Sequence, residues 1–362
     1  MTQIEIAGLT GLSPATVSNL VRELDAAGAV RLTPSIRNGR RATLVALASQ
    51  EGLLASIIFG VRELRVAVAS APGEVLRQQR LPLPEDHQAD ETLDRAARLV
   101  RDLASNAGHV SPDLLAVGAG LAAPVDSVSG QVGGVDVLRG WAGVGVATAL
   151  ENRLQAPVLL DNDANLSALA ELRHGVLQGS TNACFLSLSH GVGAGLILAG
   201  EVYRGSAGTA GEIGHITLDE DGAVCRCGNR GCLDTLVGSR ALLAAVRVSH
   251  GDLRLTDLLS LAASGDPGCR RVLEDAGRHL GVASANLVNL LNPEIIVLGG
   301  ALGSVAEILV GPMREAIDRC AIPSAAATVQ LRVSALGDQA ATLGALAAAA
   351  QLQGGQLATA AG

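Results

Sequence analysis

The sequence predicts an α/β body preceded by a small head of two helices and a β-ribbon. Three observations carry this. From about residue 49 onward, short apolar runs of strand length alternate with segments of helical period, the pattern of a sheet covered by helices. Glycines collect at the ends of those runs, where nucleotide and sugar sites form in such folds. The first 48 residues instead read helix, turn, capped helix and basic hairpin.

The bulk numbers agree. A chain of 362 residues is too long for one small core and suggests two or three domains. With 48% apolar and 17% charged residues, general disorder is excluded. Aromatics are so scarce, at 1%, that the interior must be built from Leu, Val, Ile and Ala. The sequence contains no lysine, which with its Ala and Gly load reads as coding bias. The net charge of −8 argues at first against nucleic acid, but it is unevenly spread. The first 50 residues hold five arginines (Arg22, Arg31, Arg37, Arg40, Arg41) against Glu5, Glu23 and Asp25, so the acidic excess lies wholly in the remainder. A basic head on an acidic body suits a DNA reader whose body is kept off the phosphates. No signal-like start and no bilayer-spanning apolar run is present, so a soluble cytoplasmic protein is expected.

In the head, residues 4–8 read as a short helix and Thr10-Gly11-Leu12 as a turn. Ser13 is an N-cap and Pro14 a first helical residue. Val17, Leu20, Val21 and Leu24 then form a buried stripe, and Gly28 ends the helix. Ala15, Thr16, Ser18, Asn19 and Arg22 face away from that stripe, as on a helix lying in a major groove. Two short strands, 30–33 and 42–47, flank an Arg-rich tip. There Arg37, Arg40 and Arg41 are placed to reach phosphates or a minor groove. The pattern is a winged helix-turn-helix without its usual preceding helix, so either the true start lies upstream or the head is incomplete. The bland alternative for residues 13–27 is any well-capped amphipathic helix.

In the body, strands are expected at 53–59, 64–69, 114–121, 158–160, 183–189, 195–198 and 294–298. Helices are expected at 91–106, 146–154, 165–173 and about 340–352, with a frayed tail after Gly354. His215 precedes Cys225, Cys227 and Cys232: one imidazole and three thiols, a full tetrahedral set for structural zinc. Gly228 and Gly231 let a tight loop return Cys232 to the other sulfurs. Cys184, Cys269 and Cys320 read as small buried hydrophobes. Asp161-Asn162-Asp163-Ala164-Asn165 stands where a strand meets a helix. Such residues hold sugar hydroxyls or supply a general base, or else form a turn and N-cap. Gly191, Gly193 and Gly195 follow a strand and suggest a phosphate-cradling hairpin.

Taken together these motifs resemble the ROK family of repressors, open reading frames and kinases, over nearly the whole chain. The most specific part is Gly211-Glu212-Ile213-Gly214-His215 followed by Cys225-x-Cys227-Gly228-x-x-Gly231-Cys232; Asn162-Asp163-Ala164-Asn165, Gly191–Gly195 and Leu298-Gly299-Gly300 fall in family order. The resemblance implies an actin-like, ribonuclease-H-like ATPase fold of two lobes with a sugar cleft between them. Residues 1–48 would be the winged head and 49–165 the first lobe, with the helix at 340–352 packing back on it. Residues 166–339 would form the second lobe, with the zinc loop and sugar cleft. The resemblance also implies that Asn162, Asp163, Glu212, His215 and Asp234 hold a sugar, with Asp163 the base in a kinase.

Two departures stand out. Family kinases open the body with Asp-x-Gly-Gly-Thr, where this chain has Ile58-Phe59-Gly60-Val61-Arg62. Phosphoryl transfer needs positioned metal and charge neutralisation, so ATP and magnesium chemistry is not expected. In the sugar site, Val137 stands for an Asn and Asp234 for a Glu. The expected function is a sugar-responsive DNA-binding regulator, dimeric or a higher oligomer because such heads read two half-sites. An ATP-dependent hexose kinase and a decayed family member that binds neither ligand remain as alternatives.

Overall fold

The computed structural model describes residues 1–26, 30–37, 40–47, 52–107, 113–126, 129–133, 138 and 140–360. In the head, α1 (Gln3–Thr10) starts on a reciprocal cap in which the Thr2 hydroxyl accepts the Glu5 N–H and the Glu5 carboxylate accepts the Thr2 N–H. Gly11 closes it in the left-handed region. The Ser13 hydroxyl accepts the Thr16 N–H at 3.1 Å and so caps α2 (Pro14–Ala26). The ribbon pairs β1 (Val30–Arg37) with β2 (Arg40–Leu47), antiparallel, with Arg37 opposite Arg40. Both strands run further toward the tip than the sequence suggests. Gly28, Asn38 and Gly39 lie outside the described residues, as do the side chains of Arg37, Arg40 and Arg41. Val17, Val21, Val30 and Val45 form the head's own apolar cluster. The expected stripe is only half covered: Leu20 and Leu24 are each 42% exposed.

The body has two five-stranded sheets of the same plan. In the first, β3 (Leu53–Phe59), β4 (Glu63–Ser70) and β5 (Val75–Pro82) are antiparallel. β6 (Leu114–Leu121) and β7 (Val158–Asn162) then run parallel to β3, giving the order β5-β4-β3-β6-β7. Helix α3 (Ala89–Ser105) covers a face of this sheet with Leu93, Ala96, Val100 and Leu103, and α4 (Val146–Leu154) joins β6 to β7. α5 (Asp163–His174) follows β7 without a break. The boundary expected at residue 165 thus falls inside one helix.

The second sheet is built from β8 (Ala183–Leu188), β9 (Val192–Leu198) and β10 (Glu201–Tyr203), again antiparallel. The chain then passes through α6 (Asp234–Val237), α7 (Ser239–His250), α8 (Leu255–Ala263) and α9 (Pro267–Leu291). β11 (Ile295–Gly299) returns parallel to β8. α10 (Ala306–Cys320), α11 (Pro323–Ala326) and β12 (Gln330–Val333) complete the order β10-β9-β8-β11-β12. Gly277 and Gly281 let α9 lie against α10, since a Cβ there would stand 2.7 Å from the Leu309 carbonyl and 2.5 Å from that of Met313.

α12 (Ala340–Ala360) closes the chain and packs on α5, β3 and β6. It extends past residue 352, so the tail expected to fray is helical to Ala360. Its approach is set by two glycines: a Cβ at Gly118 would meet the Ala345 carbonyl at 1.9 Å, and one at Gly344 the Leu166 carbonyl at 1.8 Å. A cluster of Ile58, Leu166, Phe185, Val297 and Ala345 forms the seam between the two sheets. β5 escaped the sequence reading because it is an exposed, polar edge, with Arg77, Gln78, Gln79 and Arg80 along it. Among the described residues no helix is long and apolar enough to cross a membrane. Cys184 and Cys269 are buried as expected, whereas Cys320, on the last turn of α10, is exposed.

Candidate sugar cleft and thiol–histidine cluster

A cavity of about 880 Å³ opens between the two sheets, within the range of small-ligand sites. Asn162, Asp163, Glu212, His215, Asp234, Gly191 and Gly193 all line it, although they span 73 residues of sequence. β7 ends at Asn162, whose amide oxygen caps α5 by accepting the Ala164 N–H at 2.8 Å. Its amide nitrogen donates to the Ala123 carbonyl at 3.1 Å. The turn-and-cap reading and the cavity-lining reading therefore hold together for the same residue.

Asp163 begins α5, and its carboxyl is raised to about 6 by burial, against the lowering effect of the Ala164 N–H. Glu212, on the segment between β10 and α6, is pushed up to about 7 by burial and by the neighbouring Asp163. Near neutral pH this pair offers both accepting and donating carboxyl groups, which suits hydroxyl ligands.

Behind these carboxyls lies the metal-type cluster. The ligand atoms of His215, Cys225, Cys227 and Cys232 all lie within 4.8 Å of one another. His215 Nδ1 stands 3.7 Å from Cys225 Sγ, and Cys227 Sγ 3.7 Å from Cys232 Sγ. Bonds of about 2.3 Å to a tetrahedral cation would put sulfurs about 3.8 Å apart, so the donor set fits such a centre. Gly231 has φ +63°, and a Cβ there would overlap the Asp219 carbonyl, which is why the loop needs glycine. Burial and the neighbouring thiols push the Cys232 thiol up. With Nδ1 turned to the cluster, Nε2 is the His215 nitrogen left for the cavity.

Arg226, between two of the cysteines, pairs with Asp234 at 3.2 Å. Arg226 Nε and Asp234 Oδ1 are buried without a protein hydrogen-bond partner. Polar atoms left so at a cavity wall are served by solvent or ligand. Arg226 was legible only as the middle residue of Cys-x-Cys.

The glycines do not form one loop. Gly191 lies in the β8–β9 turn, where Ser189 N–H donates to the Gly191 carbonyl at 3.0 Å. Gly193 and Gly195 are strand residues of β9. Gly195 admits α5, since a Cβ there would stand 2.5 Å from the Ala164 carbonyl. The neighbouring His190 is driven down by burial and by Arg62, and its carbonyl accepts both the N–H and hydroxyl of Ser239.

Two features were missed by sequence reasoning. Asp161, almost wholly buried, accepts Arg204 Nε at 2.8 Å and Nη2 at 2.7 Å, and also the Asn165 amide at 2.8 Å. This ties the strand that leads into Asp163 to the segment that leads to Glu212. At the cleft rim, Glu85 accepts both Arg62 and Arg240.

At the cleft floor, Ile58 is 3% exposed and packs with Leu166 and Phe185. The Gly60 carbonyl faces His87 Nε2 at 3.2 Å. Trp141 is fully buried, edge-on to His87, with its indole N–H donating to the His87 carbonyl, and is a core residue. Val137 lies outside the described residues. In the head, Ala15, Thr16, Asn19 and Arg22 are exposed along α2 and Ser18 is half-buried.

A family model described as the ROK family matches residues 54–352. The chain belongs to the ROK family. Among ROK proteins it is 28% identical to a xylose repressor of Caldicellulosiruptor bescii, over 96% of this chain and 91% of that protein. It is 32% identical to a glucokinase of Halalkalibacterium halodurans, over 79% of this chain and 91% of the other. A crystal structure of a ROK transcriptional regulator, a homologue of the E. coli MLC protein, superposes with a TM-score of 0.84 at 27% identity. That match covers 100% of this chain and 94% of the other.

Proposed function

We propose that this ROK protein is a DNA-binding transcriptional regulator whose cleft takes a sugar effector and whose phosphotransfer chemistry has been lost. The observation that carries the proposal is the pairing of a separate helix-and-ribbon head with a body whose metal-side carboxylate is replaced by buried Ile58. Ile58 supplies no oxygen ligand at the position from which family kinases position their catalytic cation.

In this reading the head is a winged helix-turn-helix. Ala15, Thr16, Ser18, Asn19 and Arg22 enter the major groove, and Arg37, Arg40 and Arg41 serve the flanking backbone. Asn162, Asp163, Glu212, His215 and Asp234 hold the sugar, and Asp163 accepts a hydroxyl hydrogen bond without abstracting a proton. A structural zinc ion is held by His215, Cys225, Cys227 and Cys232, and supplies folding free energy. Because His215 belongs to both sites, sugar contact at Glu212 and His215 moves the zinc loop, and a dimer transmits this to its two heads. That the repressor relative spans head and body together supports the reading.

The test is retention of promoter fragments from the protein's own locus, at stated salt, with and without a panel of pentoses, hexoses and amino sugars. Specific retention that one sugar alters is the expected result. Retention that no sugar alters refutes the sugar switch and leaves DNA binding standing. A hexose kinase is the second reading, favoured by Asp163 near pKa 6 at the cavity wall. Sugar phosphate formed with ATP and magnesium would establish it.

A further inference from the structure

Among the described residues a second group of metal-type donors lies outside the cleft, where α7 ends and α9 begins. The ligand atoms of His250, Asp266 and Cys269 all lie within 4.8 Å of one another. None of the three lines the cavity, and none belongs to the thiol–histidine cluster. His250 is the last residue of α7, Asp266 caps α9 and Cys269 stands in its first turn.

Each donor is already aimed. The Asp266 carboxylate divides its work: Oδ1 accepts the Cys269 N–H at 2.8 Å and caps the helix, while Oδ2 faces His250 Nε2 at 3.2 Å. A nitrogen and an oxygen on one tetrahedral zinc ion stand about 3.3 Å apart, so this pair already has the separation of two ligands. On the other side of the ring, the Ser249 hydroxyl donates to the Val246 carbonyl at 3.0 Å. Its oxygen is then left to accept from His250 Nδ1 at 2.7 Å. A neutral ring that donates through Nδ1 presents the Nε2 lone pair to Asp266, and that contact needs a proton or a metal ion between the two. A proton serves only the imidazole and the carboxylate. The buried Cys269 sulfur hydrogen-bonds to the same carboxylate and adds a soft third donor. Helical side chains lean toward the N-terminus, which turns that sulfur back over Asp266. Gly268 leaves room for the ring, since a Cβ there would stand 3.2 Å from His250 Cε1. His250 and Asp266 are half-buried, so one side of the group is open to water.

We propose that His250 Nε2, Asp266 Oδ2 and Cys269 Sγ form a second zinc site, with water as the fourth ligand. The thiol proton passes to solvent as the ion binds. Magnesium and calcium take oxygen ligands and do not suit imidazole and thiolate. With three protein donors and an open position, the site exchanges its ion more readily than the four-ligand cluster does. The ion ties together the two ends of the segment that carries α8. The first residues of that segment, Leu253 to Thr256, line the cleft. Zinc here holds one wall of the cleft without touching what binds inside it.

The experiment is dialysis of the full chain, with a phosphine reductant, against a zinc-buffered solution, followed by metal analysis. His250→Gln and Asp266→Asn are treated beside the parent, and unchanged far-ultraviolet circular dichroism shows that both are folded. Each variant is expected to hold one zinc ion fewer per chain than the parent. Asparagine keeps the α9 cap through its amide oxygen, so a merely capping role for Asp266 predicts no loss of metal. With cobalt in place of zinc, the parent should show more sulfur-to-metal absorption than Cys269→Ala. Equal zinc in the parent and both variants marks any extra ion as adventitious and overturns the site, whether or not the His215 cluster is filled. Loss from His250→Gln but not from Asp266→Asn overturns it as well. So does displacement of the ion by an equal concentration of magnesium, because a hard cation does not need the thiolate.

Discussion

Replacing Asp163 with Asn tests the electrostatic account of the cleft directly, because the substitution keeps the shape and removes the charge. The Asp163 carboxyl moves from an ordinary 3.8 to about 6 on folding, chiefly through burial. About two units at 1.36 kcal/mol each give a cost on the order of 3 kcal/mol for holding the ionised group in the unliganded cleft. A raised carboxyl takes up protons on folding between these two values. The cost is therefore absent below about pH 4, grows as pH rises and is complete near pH 7. Asn carries no such cost, and the Ala164 N–H keeps its acceptor, the Asn162 amide oxygen. Asp163→Asn should thus be more stable than the parent at pH 7, by about 3 kcal/mol at most. The difference should shrink to less than about 1 kcal/mol at pH 4. Urea unfolding of both chains at several pH values measures it, and calorimetry should show sugar affinity lost in the same variant. A variant no more stable than the parent at pH 7, or a difference that does not change with pH, would refute the reasoning.

Three further outcomes are expected. Cys227→Ser should release the metal and lower the unfolding temperature; metal analysis of the purified variant decides it, and unchanged content means the ligand assignment is wrong. Arg204→Ala leaves the buried Asp161 carboxylate without the guanidinium on its Oδ2 and should cost about 2 kcal/mol in urea unfolding, less than a fully buried pair because Arg204 is partly exposed. A loss under about 0.5 kcal/mol would show that Asn165 and the backbone suffice. Arg22→Ala, on the exposed face of α2, should weaken DNA binding and reduce the slope of log affinity against log salt by about one if Arg22 contacts a phosphate. Unchanged retention would place Arg22 away from the DNA.

The sequence by itself determined the elements whose burial pattern is strong and local. β3 and β6 run at the expected residues because a continuous apolar run of that length forms a central strand. The thiol–histidine cluster was legible because soft ligands at tight spacing have few other uses. The replacement of a metal-side carboxylate by Ile58 was visible from the resemblance alone. Only the tertiary structure decided the rest. β5 is polar and exposed, so no periodicity marks it. Gly193 and Gly195 look like a loop but are strand residues, and Gly195 owes its identity to the backbone of α5 at Ala164, 31 positions away. The Asp161–Arg204 pair and the Glu85 bridge to Arg62 and Arg240 join residues 43, 23 and 155 positions apart. Burial pattern and turn chemistry are written in neighbouring residues. Ion pairs and close backbone approaches arise only where folding brings distant segments together, and the cleft is built from those.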